Sequence, residues 1–149
     1  MQFYSHKSKM HSKPLVLSFL TCDNIHVDPT TQKYTLLGLF SGLQVVRLPT
    51  KHPRMFLFIA LTDVSTGEHH GKLSMALPGQ DPIFEAEQTF TSQGPLQRIH
   101  LVMHMQNIEF RQDGDYSFMF EVDDEPIVVT SFAVRRLQMP PGMMPPEDA

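Results

Sequence analysis

The sequence predicts an all-β domain: two antiparallel sheets of about eight strands, packed face to face as a sandwich without a disulfide. Three observations predict it. Between Pro14 and Gln138 apolar and polar residues mostly alternate with a period of two, which sends successive side chains to opposite faces of a sheet. Clusters of Gly, Pro, Asp and Ser punctuate that stretch at short intervals. No segment shows the 3.6-residue spacing of an amphipathic helix.

The first element is the apolar run from Leu15 to Cys22, which reads as a buried strand. It makes a poor export signal, because the apolar part is short and bulky Thr21 stands where a small residue should precede cleavage. Asp28-Pro29-Thr30-Thr31 then turns the chain into a strand that starts at Tyr34. The stretch Leu36 to Leu43 contains Gly38 and Gly42 and is expected to be a strand that bends or bulges at glycine. Met55 to Leu61 is apolar on both faces and reads as a central strand, and so does Ile127 to Val134. Between those two, alternation is clear. Leu73, Met75 and Leu77 oppose Lys72, Ser74 and Ala76; Phe84, Ala86 and Phe90 oppose Glu85, Glu87 and Thr89. Tyr116, Phe118, Phe120 and Val122 oppose Ser117, Met119 and Glu121. Turns fall at Ser65-Thr66-Gly67, Pro78 to Pro82 and Ser92 to Pro95. Asp113-Gly114 predicts a tight hairpin, since both central positions of such a turn favour positive φ, and Asp123-Asp124 serves similarly before the last strand.

Gly114-Asp115-Tyr116-Ser117-Phe118 sharpens the class. In immunoglobulin-like sandwiches a tyrosine opens the penultimate strand and its hydroxyl bonds back to the preceding corner. Phe118 stands where antibody domains carry their second cysteine, and no tryptophan is present. The expectation is therefore an Ig-like sandwich over residues 14–138. A flexible polar arm at 1–13 and a Pro-rich disordered tail at 139–149 flank it.

Several of these segments resemble a family of small, mostly bacterial single-domain proteins of unknown function. The residues that carry the resemblance are Cys22-Asp23-Asn24-Ile25, Tyr34 to Phe40, the Leu48-Pro49 junction, Gly114-Asp115-Tyr116 and Asp123-Asp124. It covers Pro14 to Arg136 and implies a compact Ig-like β-sandwich; it brings no reaction, ligand or catalytic residue with it.

Composition narrows the function classes. The 149 residues hold 12 Lys+Arg against 16 Asp+Glu, a net charge of −4, which argues against a partner bound through nucleic-acid phosphates. No apolar run approaches the ~18 residues that cross a bilayer, and a single cysteine excludes an internal disulfide and a Cys-based zinc finger. A cytoplasmic location is the simplest expectation.

Candidate chemistry is sparse. His100 and His104 would share an ion on a helix but lie about 13 Å apart on a strand, and His69 and His70 point to opposite faces. A cross-strand metal site using His70, His100 or His104 is the main alternative function. Asp113 and Asp115 could line a calcium site with Asp123, Asp124 and Glu125 only if two loops met, whereas adjacent hairpins place them at opposite ends. Glu85 and Glu87 stand about 7 Å apart on a polar face, with no pocket implied. Cys22 in an apolar strand reads as inert. Arg47, Lys51, His52 and Arg54 read as a basic loop that Arg135 and Arg136 could extend. A carbohydrate site is a weaker alternative, because sugar platforms want aromatics and the chain has only Tyr4, Tyr34 and Tyr116 beside its phenylalanines. No catalytic, cofactor or metal residue is assigned and no cofactor is expected. The predicted function is a non-catalytic module acting through contact with a protein partner or a second copy, with neither nucleic acid nor membrane. Leu101, Val102, Met103 and Met105, on a strand apolar on both faces, motivate that reading.

Overall fold

The computed structural model describes residues 13–138 and Gly142. Of the arm at 1–13 only Lys13, and of the tail at 139–149 only Gly142, fall among the described residues. Nine strands follow one another: β1 (Leu15–Val27), β2 (Tyr34–Phe40), β3 (Gly42–Val45), β4 (Thr50–Thr62), β5 (Gly67–Ala76), β6 (Phe84–Ser92), β7 (Ile99–Phe110), β8 (Gly114–Val122) and β9 (Glu125–Arg136). They form a first sheet in the order β2-β1-β4-β7 and a second in the order β3-β9-β8-β5-β6.

Alternation builds the core. Leu57, Ile59 and Leu61 of β4 and Leu101 and Met103 of β7 are buried against Leu73 and Met75 of β5 and Tyr116, Phe118 and Phe120 of β8. Each such side chain contributes about 1.5–3 kcal/mol by leaving water. The intervening residues face outward: Lys72 pairs with Glu85 at 3.3 Å and His70 with Glu87 at 2.7 Å, a polar ladder on the second sheet. The Tyr116 hydroxyl donates to the Gln112 carbonyl at 2.6 Å, the bond its place at the head of β8 predicts.

The structure departs from the expectation at five places. First, the Leu36–Leu43 stretch is two strands, β2 and β3, split at Ser41, so the count is nine. Second, β3 runs parallel to β9, Gly42 opposite Ala133 and Val45 opposite Arg136, so the second sheet is mixed and not wholly antiparallel. Third, Asp113-Gly114 is no hairpin, because β7 belongs to the first sheet and β8 to the second. The tight turn is Asp123-Asp124, with φ of 51° and 67°. Fourth, β9 is not central along its length: only Ala133 to Arg136 have β3 beside them. Fifth, Leu101, Met103 and Met105 all face the core, and only Val102 of that group reaches the outer face, between exposed His100 and His104. The two-faced apolarity that motivated a contact surface on β7 is therefore absent.

Two local features shape the chain around the site. Alternation slips at Asn107, whose φ is 51°, so that Ile108 and Phe110 turn inward after Met105. The opposite strand slips with it around Pro53, since His52 pairs with Ile108 and Arg54 with Gln106. In β2, Gly38 has a φ of 70°, and the Asp23 carboxylate lies where its Cβ would stand. Only glycine serves there without strain.

Candidate binding cleft at the open sheet edges

The corner at Ser41 makes the site. β2 ends in the first sheet and β3 begins in the second, so this corner carries the chain from an edge of one sheet to an edge of the other. Beyond it both sheets lack an outer partner among the described residues. β1 meets β2 only from Thr21 onward, which leaves residues 15–20 with β4 on one side and no strand on the other. β9 is paired with β8 alone over residues 125–132.

Between these open edges lies a cavity of about 270 Å³, lined by Phe19 and Thr21 of β1, Phe40 and Ser41 of the corner, Phe118 of β8, and Thr130, Ser131 and Phe132 of β9. Its walls are interlocked rings. Phe19 meets Phe118 edge-on with centroids 5.9 Å apart, Phe118 meets Phe132 at 5.4 Å, and Phe132 meets Phe40 at 6.0 Å. Edge-to-face contact is the arrangement that ring quadrupoles favour. The Thr21 hydroxyl donates to the Phe40 carbonyl and so holds β2 against β1 at the mouth. Leu39 stands at the rim, 59% exposed. Small-molecule sites run from roughly 300 Å³ upward; this cleft suits a single bulky apolar side chain.

Asp23, His52, Pro53, Arg54 and Gln106 line a second cavity of about 510 Å³. The His52 ring packs on Phe40 at 6.0 Å. Burial pushes its pKa below the usual histidine value, against the opposing pull of the Asp23 charge and a bond to the Arg54 backbone. Its Nε2 is buried without a hydrogen-bond partner.

At the far end of β9, Ser65, His69 and Asp123 stand in the order of a hydrolase triad. His69 Nδ1 lies 2.6 Å from Asp123 Oδ2, and Nε2 lies 3.5 Å from Ser65 Oγ but 2.7 Å from the Ser65 carbonyl oxygen. A carbonyl only accepts, so Nε2 carries a proton, and Nδ1 donates to the carboxylate. An imidazolium held this way has no lone pair with which to take a proton from Ser65. The trio is a clasp joining the β4–β5 loop to the β8–β9 turn, reinforced by the His70 amide, which donates to Asp123 Oδ1 at 2.9 Å. Partial burial lowers the His69 pKa, but the bonds to Asp123 and Ser65 outweigh it and the net shift is upward. Burial likewise raises Asp123, and the bonds from His69 and the His70 amide more than reverse it.

The residues singled out by sequence are mostly kept apart. His70 lies on the second sheet, whereas His100 and His104 lie on the outer face of the first, and His104 stacks on Phe56 at 4.3 Å. Among the described residues no group of three or more His, Cys, Asp or Glu side chains is placed to hold a metal. Asp113 and Asp115 sit at the opposite end of β8 from Asp123, Asp124 and Glu125, and Asp115 is held by Arg135. Glu85 and Glu87 are taken up by Lys72 and His70. Cys22 is buried, and that burial raises its pKa. Of the basic group Arg47 does lie in the connection between β3 and β4, but Lys51, His52 and Arg54 belong to β4, and His52 turns toward Phe40. The cleft itself was missed by sequence reasoning. Its only signal was that Ile127 to Val134 is apolar on both faces, a pattern that a central strand and a half-open edge beside a cleft share.

No helix among the described residues is long and apolar enough to cross a membrane. No curated protein matches the chain. Residues 17–135 match the model of a family of unknown function, DUF6941, nearly the stretch that carries the motifs of such a family. The chain therefore belongs to this family of unknown function, DUF6941.

Proposed function

We propose that this protein is a non-catalytic, Ig-like β-sandwich that works by protein–protein contact. The Ig-like reading is supported by strand order. β1-β4-β7 follows the A-B-E order of such domains and β9-β8-β5-β6 the G-F-C-C′ order, with the tyrosine corner on the F-equivalent strand β8. β2 and β3 are then an insertion between the first two strands of that scheme.

The observation that carries the contact reading is the cleft of Phe19, Phe40, Phe118 and Phe132, open to solvent beside exposed Leu39. Apolar surface left open next to a ring-lined hollow is a site where a partner side chain gains burial. The titratable groups nearest to chemistry serve structure: His69 is committed to its clasp and Cys22 is buried. Panning a random peptide library on the full chain tests the reading. Wild type should enrich a consensus with a bulky apolar residue, and Leu39→Glu should lose it while its unfolding midpoint stays put, because Leu39 is mostly in solvent. No enrichment over background on wild type would sink the proposal.

A further inference from the structure

We propose that the open edge of β9, from Ile127 to Ser131, accepts an extended segment of a partner protein as an added strand. One bulky apolar side chain of that segment seats in the phenylalanine cleft, and a Lys or Arg about five residues away meets the carboxylates at the start of β9. The inference rests on the contact reading above and specifies its partner.

Four observations carry it. The backbone of this run is paired with β8 on one side and has no strand on the other among the described residues. An unpaired edge presents a row of N–H and C=O groups that only another extended chain satisfies in full. Sheet edges are ordinarily guarded by charge, bulge or proline. Here Pro126 and the register shift after it, opposite Phe120 and Glu121, guard only the start of β9, and the exposed residues that follow, Val129 at 64% and Ser131, carry no charge. The run ends at the cleft, where Thr130 and Ser131 form part of the lining. Its start is acidic: Asp124 has no ion pair among the described residues, and Glu125 has only Lys13 at 4.0 Å. From Glu125 to Thr130 β9 advances five residues against four of β8, because of the register shift, so the span is about 13 to 17 Å at 3.3 Å per residue, which sets a spacing of four to five residues between the basic and the apolar residue of the partner.

The probe is the peptide acetyl-Ser-Lys-Val-Thr-Val-Thr-Leu-Ser-amide, titrated against the full chain and followed by backbone hydrogen exchange. Binding should slow exchange of the amides from Ile127 to Ser131. Methylating alternate backbone nitrogens of the peptide leaves its side chains intact and should weaken binding at least about tenfold, the worth of one or two hydrogen bonds. Val129→Lys should weaken it similarly without moving the unfolding midpoint. If the methylated peptide binds equally well, strand addition is overturned while the contact reading stands. If neither peptide binds and panning also fails, both are overturned. Protection of these amides already present in the free chain, at low concentration, would assign the edge to another segment of the same chain. Protection that grows with protein concentration would assign it to a second copy. Either of those results also overturns the proposal.

Discussion

His69 and His52 both contact aromatic rings, Phe90 and Phe40, yet their protonation is governed in opposite directions. His69 holds its proton above the ordinary value of about 6.5, so its contribution to stability is complete below that pH. It is lost as pH rises through the raised native value. Asp123 is the converse: its contribution is complete above about pH 4 and lost as pH falls through its lowered native value. Both act together between about pH 4 and 6.5. Denaturant titrations from pH 6 to 9 should therefore show wild type losing stability that His69→Gln does not lose. The difference should be about 1 kcal/mol at most, since half of Asp123 is in solvent. His52 binds its proton less readily when folded, so it costs stability as pH falls below about 6.5. His52→Phe should abolish that acid-side loss and raise the unfolding free energy at pH 5.5 by up to about 1 kcal/mol, because it also removes an unsatisfied buried nitrogen. At this scale Tyr116 and Cys22 were legible in the sequence, because local pattern decides them. The His69–Asp123 bond was not, since its partners lie 54 positions apart and only the pairing of β5 with β8 brings them together.

Whether a strand exists was easier to read than what lies beside it. The alternating faces of β5, β6 and β8 run as the period of two requires, but period says nothing about which strand is a neighbour. The Asp113-Gly114 corner looked like a hairpin because turn chemistry is the same whether the next strand pairs back or crosses to the other sheet. Asn107 breaks the period inside β7, and the odd spacing from Met105 to Ile108 was the only trace of it. β3 shows what such an element depends on. A Cβ added at Gly42 would stand 2.5 Å from the Ala133 carbonyl oxygen, a backbone atom fixed by the β9 ladder. Gly42→Ala should push β3 off β9 and cost about 1–3 kcal/mol, the usual range for forced overpacking. Hydrogen exchange at residues 133–136 should rise with it; unchanged exchange there would show that β3 contributes little to the second sheet.

Around the cleft the two sheets meet through aromatic rings, and there packing and binding compete for the same rings. Phe132 of the second sheet touches Phe40 and Phe110 of the first and Phe118 of its own, at centroid distances of 6.0, 6.4 and 5.4 Å. An all-β fold of two sheets was legible because burial on one face of a strand demands a second layer; an opening between the layers was not, because it depends on where β2 and β3 stop. Phe132→Ala removes a fully buried ring that packs against both sheets. It should cost about 3–5 kcal/mol, a large part of the 5–15 kcal/mol that ordinarily separates a folded domain from its unfolded chain. Phe19 has only its ring contact with Phe118 among these and is partly buried, so Phe19→Ala should cost less than Phe132→Ala. Both substitutions enlarge the same hollow. If the cleft is a seat for a partner side chain, Phe19→Ala should weaken peptide binding about as strongly as it weakens the fold, whereas Phe132→Ala should lower the unfolding midpoint far more than it lowers binding by the folded fraction. Equal losses of stability for the two would mean that Phe19 is structural core and that the cleft is closed in solution.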